Sequence, residues 1–295
     1  MQVTKAVITA AAPKQNTLPL QRLVDLDGND KTALQFIVEE TLSAGIEEIC
    51  VVIQPGDARA YEQAAGEHLA SLRFVEQPSP RGYADAIYRA KDFVGGEPFL
   101  HLVGDHLYLS NCDVPCAKQL VDVAEMFGCS VSAVQSTRES NLSYFGIIAG
   151  SRIPRHERLF DVHQVVEKPT PTLAEQELVT PGLRSGHYLG FFGMHVLMPA
   201  VLEAIETLLA RSSDARPTLS DAMAMLVSRQ RYVAYQAQGN RYNIGVKYGL
   251  LIAQLAIGLT GRDRDQILTE MLDLVAHRPL DAGDGMPRVG ERAAS

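Results

Sequence analysis

The chain has 295 residues, 46% of them hydrophobic and 21% charged, enough apolar material for a large α/β core without disulfide or metal staples. A formal net charge of -8 argues against the broad basic face that nucleic-acid binding needs. No apolar stretch has the length of a membrane span, and the apolar N-terminus is too short for a full signal-peptide pattern, so a cytoplasmic setting is expected.

In chain order, Lys5–Ala12 is a short Val/Ile/Ala run that reads as a buried parallel strand ended by Pro13. A looping segment with Pro19 and the turn "DLDGND" follows. "TALQFIVEETLSA" then sets Leu34, Ile37, Val38, Thr41 and Leu42 on one helical face, and Gly45 stands in the usual stop position. "EEICVVIQ" is the next strand. Strand–helix–strand in fifty residues favours a parallel sheet with right-handed crossovers. The alternation continues with a helix over 61–72, the strand "RFVEQ", a helix over 82–93 and the apolar strand "PFLHLVGD". Next come a helix over 116–127 and the strand "CSVSAVQS". "YFGIIAG" and "VHQVVEKP" read as strands of a more antiparallel section, and "GHYLGFFGMHVL" as a strand whose glycines permit close approach to its backbone. Helices are expected over 198–210, 220–229, from about 245, and over 263–276, with the strand "YVAYQA" between the second and third. The expected fold is α/β, a doubly wound, mostly parallel sheet with a small antiparallel section. Residues 1–276 are read as one domain and 277–295, polar and rich in Gly and Pro, as a disordered tail.

The four cysteines, Cys50, Cys112, Cys116 and Cys129, lack a second Cys/His pair to complete a zinc set and are read as reduced structural thiols. His156, His163, His187 and His195 show no ligand spacing, and Met194, Met198, Met223 and Met225 read as core filler. The apolar stripe of "YGLLIAQLAIGL" is either core or a subunit contact, which leaves a homo-oligomer open.

In open α/β sheets ligands bind beyond the carboxyl ends of strands. Asp105 stands there, at the end of "FLHLVGD", where a carboxylate suits either Mg²⁺ or a turn cap. In "EQPSPRGYADAI", Gln77 offers a donor and an acceptor to a base edge, Pro78 and Pro80 stiffen the loop, and Gly82 permits close backbone approach. The bland alternative is a strand-to-helix turn. In "VVEKP", Glu167 suits sugar hydroxyls and Lys168 a phosphate, against the alternative of a solvated strand end.

These segments fall in a distinctive order: "KAVITAA", "ALQFIVEETLSAGIEEICVVI", "EQPSPRGYADAI", "LVGDHLYL", "YFGII", "VVEKP", "LSDAMAML" and "GNRYNIGVKYGLLIAQ". Together they resemble the sugar nucleotidyltransferase superfamily, particularly its bacterial UTP–glucose-1-phosphate uridylyltransferase and thymidylyltransferase branches, over about nine-tenths of the chain. The resemblance implies a Rossmann-like nucleotidyltransferase fold and Mg²⁺-dependent transfer of a uridylyl group from UTP to a sugar 1-phosphate, giving UDP-sugar and pyrophosphate. It implies nucleotide contacts at Ala11, Ala12, Gln77, Pro78, Gly82 and Gly104, and sugar contacts at His106, Gly146, Glu167, Lys168 and Gly190. Asp105 and Asn243 would hold the metal, and Lys14, Arg22, Asp105 and Lys168 would serve the transfer.

Two departures from the family pattern stand out. The family's glycine-rich G-x-G-T-R loop after the first strand presents N–H groups to the triphosphate. Here the segment reads "AAAPKQNTLPLQRLVDLDG", with Ala12 and Lys14 at glycine positions and Asn16 at the arginine; Lys14 and Arg22 are the cations nearby in sequence. Asn243 stands where the family carries a second metal-binding aspartate, and supplies an amide oxygen without the charge. A second reading follows from them: a catalytically impaired homologue that binds nucleotide or sugar phosphate and acts as a regulatory or assembly subunit.

Overall fold

The computed structural model describes residues 1–13, 15–211 and 216–277. The strands are β1 (Lys5–Thr9), β2 (Arg22–Val24), β3 (Asp30–Thr32), β4 (Glu48–Ile53), β5 (Leu72–Glu76), β6 (Phe99–Val103), β7 (His106–Ser110), β8 (Ser130–Arg138), β9 (Gly146–Arg152), β10 (Leu159–Glu167), β11 (His187–Leu197), β12 (Tyr232–Gln236) and β13 (Gly239–Asn243). The helices are α1 (Ala33–Leu42), α2 (Ala58–Ala65), α3 (Tyr83–Tyr88), α4 (Lys91–Val94), α5 (Cys116–Phe127), α6 (Pro171–Glu177), α7 (Ala200–Ala210), α8 (Leu219–Leu226), α9 (Gly249–Gly258) and α10 (Arg264–Ala276).

Nine strands form one sheet in the order β5-β4-β1-β6-β11-β8-β12-β10-β9. β5, β4, β1 and β6 run parallel, as their helical crossovers require. β11 then enters antiparallel between β6 and β8, and β10 lies antiparallel to both β12 and β9. The sheet is therefore mixed, not mostly parallel: its antiparallel section is no smaller than its parallel one. The cause is β11, an eleven-residue strand whose length lets it pair with β6, β8 and β9.

Successive residues of the parallel strands serve opposite faces, the period of two that a strand dictates. Ala6 and Ile8 of β1 and Ile49, Val51 and Ile53 of β4 join one apolar cluster with Ile37 of α1, Leu120 of α5 and Ile257 of α9. Val7, Cys50 and Val52 join another with Ile87 of α3, Ile205 of α7 and Met223 of α8. Each fully buried Val, Ile or Leu contributes roughly 1.5–3 kcal/mol, so both faces of the first sheet half are anchored. α1 begins in a reciprocal cap: the Thr32 hydroxyl accepts from Gln35 N–H while the Gln35 side chain accepts from Thr32 N–H. Gly45, at φ +86°, turns the chain away after it.

Several expected elements differ. The helix expected over 61–72 starts at Ala58 and tightens to a 3₁₀ turn from Gly66. That expected over 82–93 breaks into α3 and α4. The β2–β3 ribbon, α6, and the β7–β13 ribbon lie in segments read as loops or left unassigned. β7 and β13 are short, and each finds its only described ladder partner more than a hundred residues away, so neither carries a strong local pattern. Of the tail expected over 277–295, all but His277 lies outside the described residues. No described helix is long and apolar enough to cross a membrane.

Candidate functional site

A cavity of about 740 Å³ opens at the carboxyl ends of β1, β6 and β10. Its walls include Ala11, Ala12 and Pro13 after β1, Gln77 and Gly82 after β5, Gly104 and Asp105 after β6, Glu167 and Lys168 at the end of β10, and Asn243 at the end of β13. A second cavity of about 960 Å³ is walled by Gly146, Phe191, His195, Ser220 and Arg241. Tyr83, His106, Tyr144, Glu167 and Asn243 line both, so the two are contiguous.

The β6–β7 turn builds the centre. Gly104 sits where a Cβ would lie 2.8 Å from the Thr9 carbonyl and 3.1 Å from the Ala10 Cβ, so the turn fits against β1 only with glycine. Asp105 Oδ1 pairs with His106 Nδ1 at 2.6 Å. Burial works to raise the Asp105 pKa, but the His106 hydrogen bond and charge, with Arg241 beyond, leave it below the ordinary carboxylate value. The antiparallel β13–β7 ladder sets Asn243 opposite His106, and Ile244 N–H donates to the Asp105 carbonyl at 2.9 Å. Sequence positions 105 and 243 thus meet at one turn. Asn243 Oδ1 accepts from Gly245 N–H at 2.8 Å.

At the second cavity, Glu167 accepts from the Ser220 hydroxyl at 2.5 Å. Lys168 has φ +47°, uncommon for a residue with a Cβ and more so before Pro169. Such local strain is characteristic of side chains held at functional sites. A Cβ on Gly146 would lie 2.5 Å from Ser220 Oγ and 2.6 Å from the Phe191 ring. The glycine therefore lets the start of α8 approach β9, a packing requirement that sets Ser220 against Glu167. Arg241 donates through Nη1 to the Phe191 carbonyl at 2.7 Å and lies 3.9 Å from the Phe145 ring centroid. Burial lowers its pKa to about 10, partly offset by Tyr108 and Asp105. Beneath the cavities, Tyr83 Oη meets His101 Nε2 at 2.5 Å, His101 stacks on His195, and Ser132 Oγ meets His195 Nδ1 at 2.6 Å. Burial holds His101 down to about 4 and His195 well below its ordinary value.

The structure does not bring every expected residue here. Arg22 lies on the exposed β2–β3 ribbon, paired with Asp30 at 3.2 Å, and lines neither cavity. A three-residue strand pairing with β3 directs it there. Pro78 and Gly190 also lie outside both linings; a Cβ on Gly190 would collide with Thr137, so that glycine serves packing between β11 and β8. Asn16 Nδ2 donates to Asp57 at 2.7 Å, which ties it to the start of α2. Lys14 lies outside the described residues. His195 lies on β11 and is buried at the second cavity. The cap of α8 is Thr218, which exchanges hydrogen bonds with Asp221 and frees Ser220 for Glu167. Tyr83, Tyr144, Arg216, Thr218 and Arg241 were not anticipated in the walls. All but Arg216 carried a signal: Tyr83, Tyr144 and Arg241 lie within the quoted "EQPSPRGYADAI", "YFGII" and "GNRYNIGVKYGLLIAQ" segments, and Thr218 directly precedes "LSDAMAML".

The pattern of the nucleotidyl transferase family matches residues 21–257. A UTP–glucose-1-phosphate uridylyltransferase of Staphylococcus epidermidis is 31% identical over 90% of this chain and 96% of its own length. The UTP–glucose-1-phosphate uridylyltransferase YngB of Bacillus subtilis is 30% identical over 93% of this chain and 96% of its own. Among solved structures, a UDP-glucose pyrophosphorylase complexed with UDP-glucose superposes with a TM-score of 0.71 at 23% identity, covering 86% of this chain and 98% of that one.

Proposed function

The chain belongs to the nucleotidyl transferase family, and we propose that it transfers the uridylyl group of UTP to a sugar 1-phosphate, glucose 1-phosphate foremost, with residues 1–276 acting as one unit. A sugar-phosphate oxygen attacks the α-phosphorus of UTP, the bond to the bridging oxygen breaks, and pyrophosphate leaves. The observation that carries this reading is the convergence of Gln77, Asp105, Glu167, Lys168 and Asn243, from four separate strand ends, on one cavity. Gln77 and Gly82 receive the base, Ala11, Ala12 and Gly104 border the phosphates, and Glu167 takes sugar hydroxyls while Lys168 neutralises the acceptor phosphate. Gly146 contributes through the packing that holds Ser220 against Glu167.

The donor set suits Mg²⁺. Asp105 Oδ2 has no side-chain hydrogen-bond partner among the described residues, and the Asn243 amide oxygen keeps a second lone pair. A magnesium ion takes one or two protein oxygens and completes its shell with water and phosphate. Bound there, it would supply charge neutralisation at the phosphates. All four cysteines are free, which suits a cytoplasmic setting.

A specific observation favours the second reading, a regulatory or assembly subunit. Among the described residues, which leave out Lys14, the loop after β1 brings three alanines, Pro13, Gln15 and Pro19 to the cavity and no cation, while Asn16 and Arg22 are engaged elsewhere. The deciding measurement is pyrophosphate release from UTP, glucose 1-phosphate and MgCl₂, beside calorimetric binding of UTP and UDP-glucose. Turnover supports the transferase; binding without turnover supports the subunit; neither removes both.

A further inference from the structure

Gln77 is 4% exposed, and its side chain is held from one side. Its Nε2 donates to Asp85 Oδ2 at 2.7 Å and approaches the Gly82 carbonyl at 3.3 Å. Both are acceptors, so the amide has one acceptable orientation: NH₂ toward Asp85, oxygen away. Oε1 accepts from no described group, and Gln77 lines the first cavity. Asp85 is fully buried on α3, and its other oxygen takes Arg89 Nη2 at 2.6 Å, an i,i+4 pair along the helix. The chain Arg89–Asp85–Gln77 therefore runs from the half-exposed helix surface to the cavity wall.

We infer that Asp85, held by Arg89, is a positioning residue that fixes Gln77 as a pure acceptor toward the nucleobase, and so selects a base with a ring N–H, uracil, over cytosine. This rests on the reading of the cavity as a nucleotide site. Uracil presents N3–H to Oε1. Cytosine presents an N3 lone pair in the same place, and two acceptors then face each other without a proton between them. A site built to accept a hydrogen bond penalises a ligand that cannot donate one, because its own acceptor is left desolvated and unpaired. Both Gln77 N–H bonds point to protein acceptors, so the amide cannot turn to welcome cytosine without placing its oxygen against the Asp85 carboxylate.

Asp85→Asn tests this with almost no change of shape. Arg89 only donates, so it draws the oxygen of the introduced amide to itself and leaves that amide's NH₂ facing Gln77. The Gln77 amide can then turn over, opposed only by the Gly82 carbonyl at 3.3 Å, and offer its own NH₂ to the cavity. Equilibrium binding of UTP and CTP is measured by calorimetry for both proteins, with thermal melts as a check on folding. The wild type prefers UTP by at least about tenfold, and in Asp85→Asn that ratio falls at least about tenfold, toward parity or reversal. Asp85→Glu, which still accepts from both neighbours, keeps the UTP preference. A role confined to holding α3 together would weaken both nucleotides alike. Equal binding of UTP and CTP by the wild type, or an unchanged ratio in Asp85→Asn, overturns the inference and leaves the transferase reading intact. A folded wild type that binds neither nucleotide overturns both.

Discussion

The two ends of the joined cavities are built differently. At the β10 end, Glu167, Ser220 and Gly146 interlock at contact distance, and Lys168 holds an uncommon backbone angle. At the β1 end, Ala11, Ala12 and Pro13 offer methyl and ring carbons, and the match to the family pattern begins only at residue 21, beyond this loop. The contrast is one of packing: the wall proposed for the sugar is closely interlocked, while the wall proposed for the departing phosphates carries Ala12 where the family pattern has a glycine. Binding and turnover can therefore separate in this chain, since positioning the reactants and stabilising the leaving charge draw on different walls.

Asp105 stands between these functions and gives the largest expected effect. Asp105→Ala lowers pyrophosphate release by about 100-fold or more, while UTP binding measured in EDTA changes little. An equal loss of both would erase the distinction between the two ends. The histidine floor under both ends comes next. The His101 pKa falls to about 4 on folding from an ordinary 6.5, so the unfolded chain takes up its proton first on acidification. Stability is complete above pH 6.5 and drains by about 3 kcal/mol as pH falls toward 4, with His195 adding in the same direction. Urea melts at pH 7 and pH 5 measure this, and His101→Gln should flatten the slope.

Gly146→Ala sharpens the β10 end. Its methyl meets Ser220 Oγ and the Phe191 ring, so we expect a loss of about 1–3 kcal/mol in urea melts and weaker sugar-phosphate binding with UTP binding kept. The smallest effect belongs to Asn243→Asp. Adding a carboxylate beside Asp105 should lower the Mg²⁺ concentration for half-maximal turnover several-fold. No change would mean that the ion is not held by this pair.

Much of the architecture was legible in local pattern. The apolar run of β1, the Thr32 cap and Gly45 stop of α1, and the five-residue apolar burst before Gly104 mark elements because each is decided within a few residues. Asp105, Gln77, Glu167 and Lys168 were legible for the same reason, as polar residues at the carboxyl ends of strands. Arg22 misled because charge alone was matched to the missing loop cations, whereas its backbone pairs with β3 and carries it away. Asp85 passed unnoticed as an ordinary polar residue in a helix, since nothing local shows it buried against Gln77.

The chain order of the nine strands of the main sheet, most of the helices and several strand-end polar groups were thus determined by the sequence alone, through periodicity and capping that act over one or two turns. Tertiary structure decided the rest: the antiparallel entry of β11, the ladder that sets Asn243 opposite His106, and the burial that turns Asp85 and Arg89 into a brace for Gln77. Those depend on which distant segments share a face, and pairing across more than a hundred residues leaves no period in the chain to read.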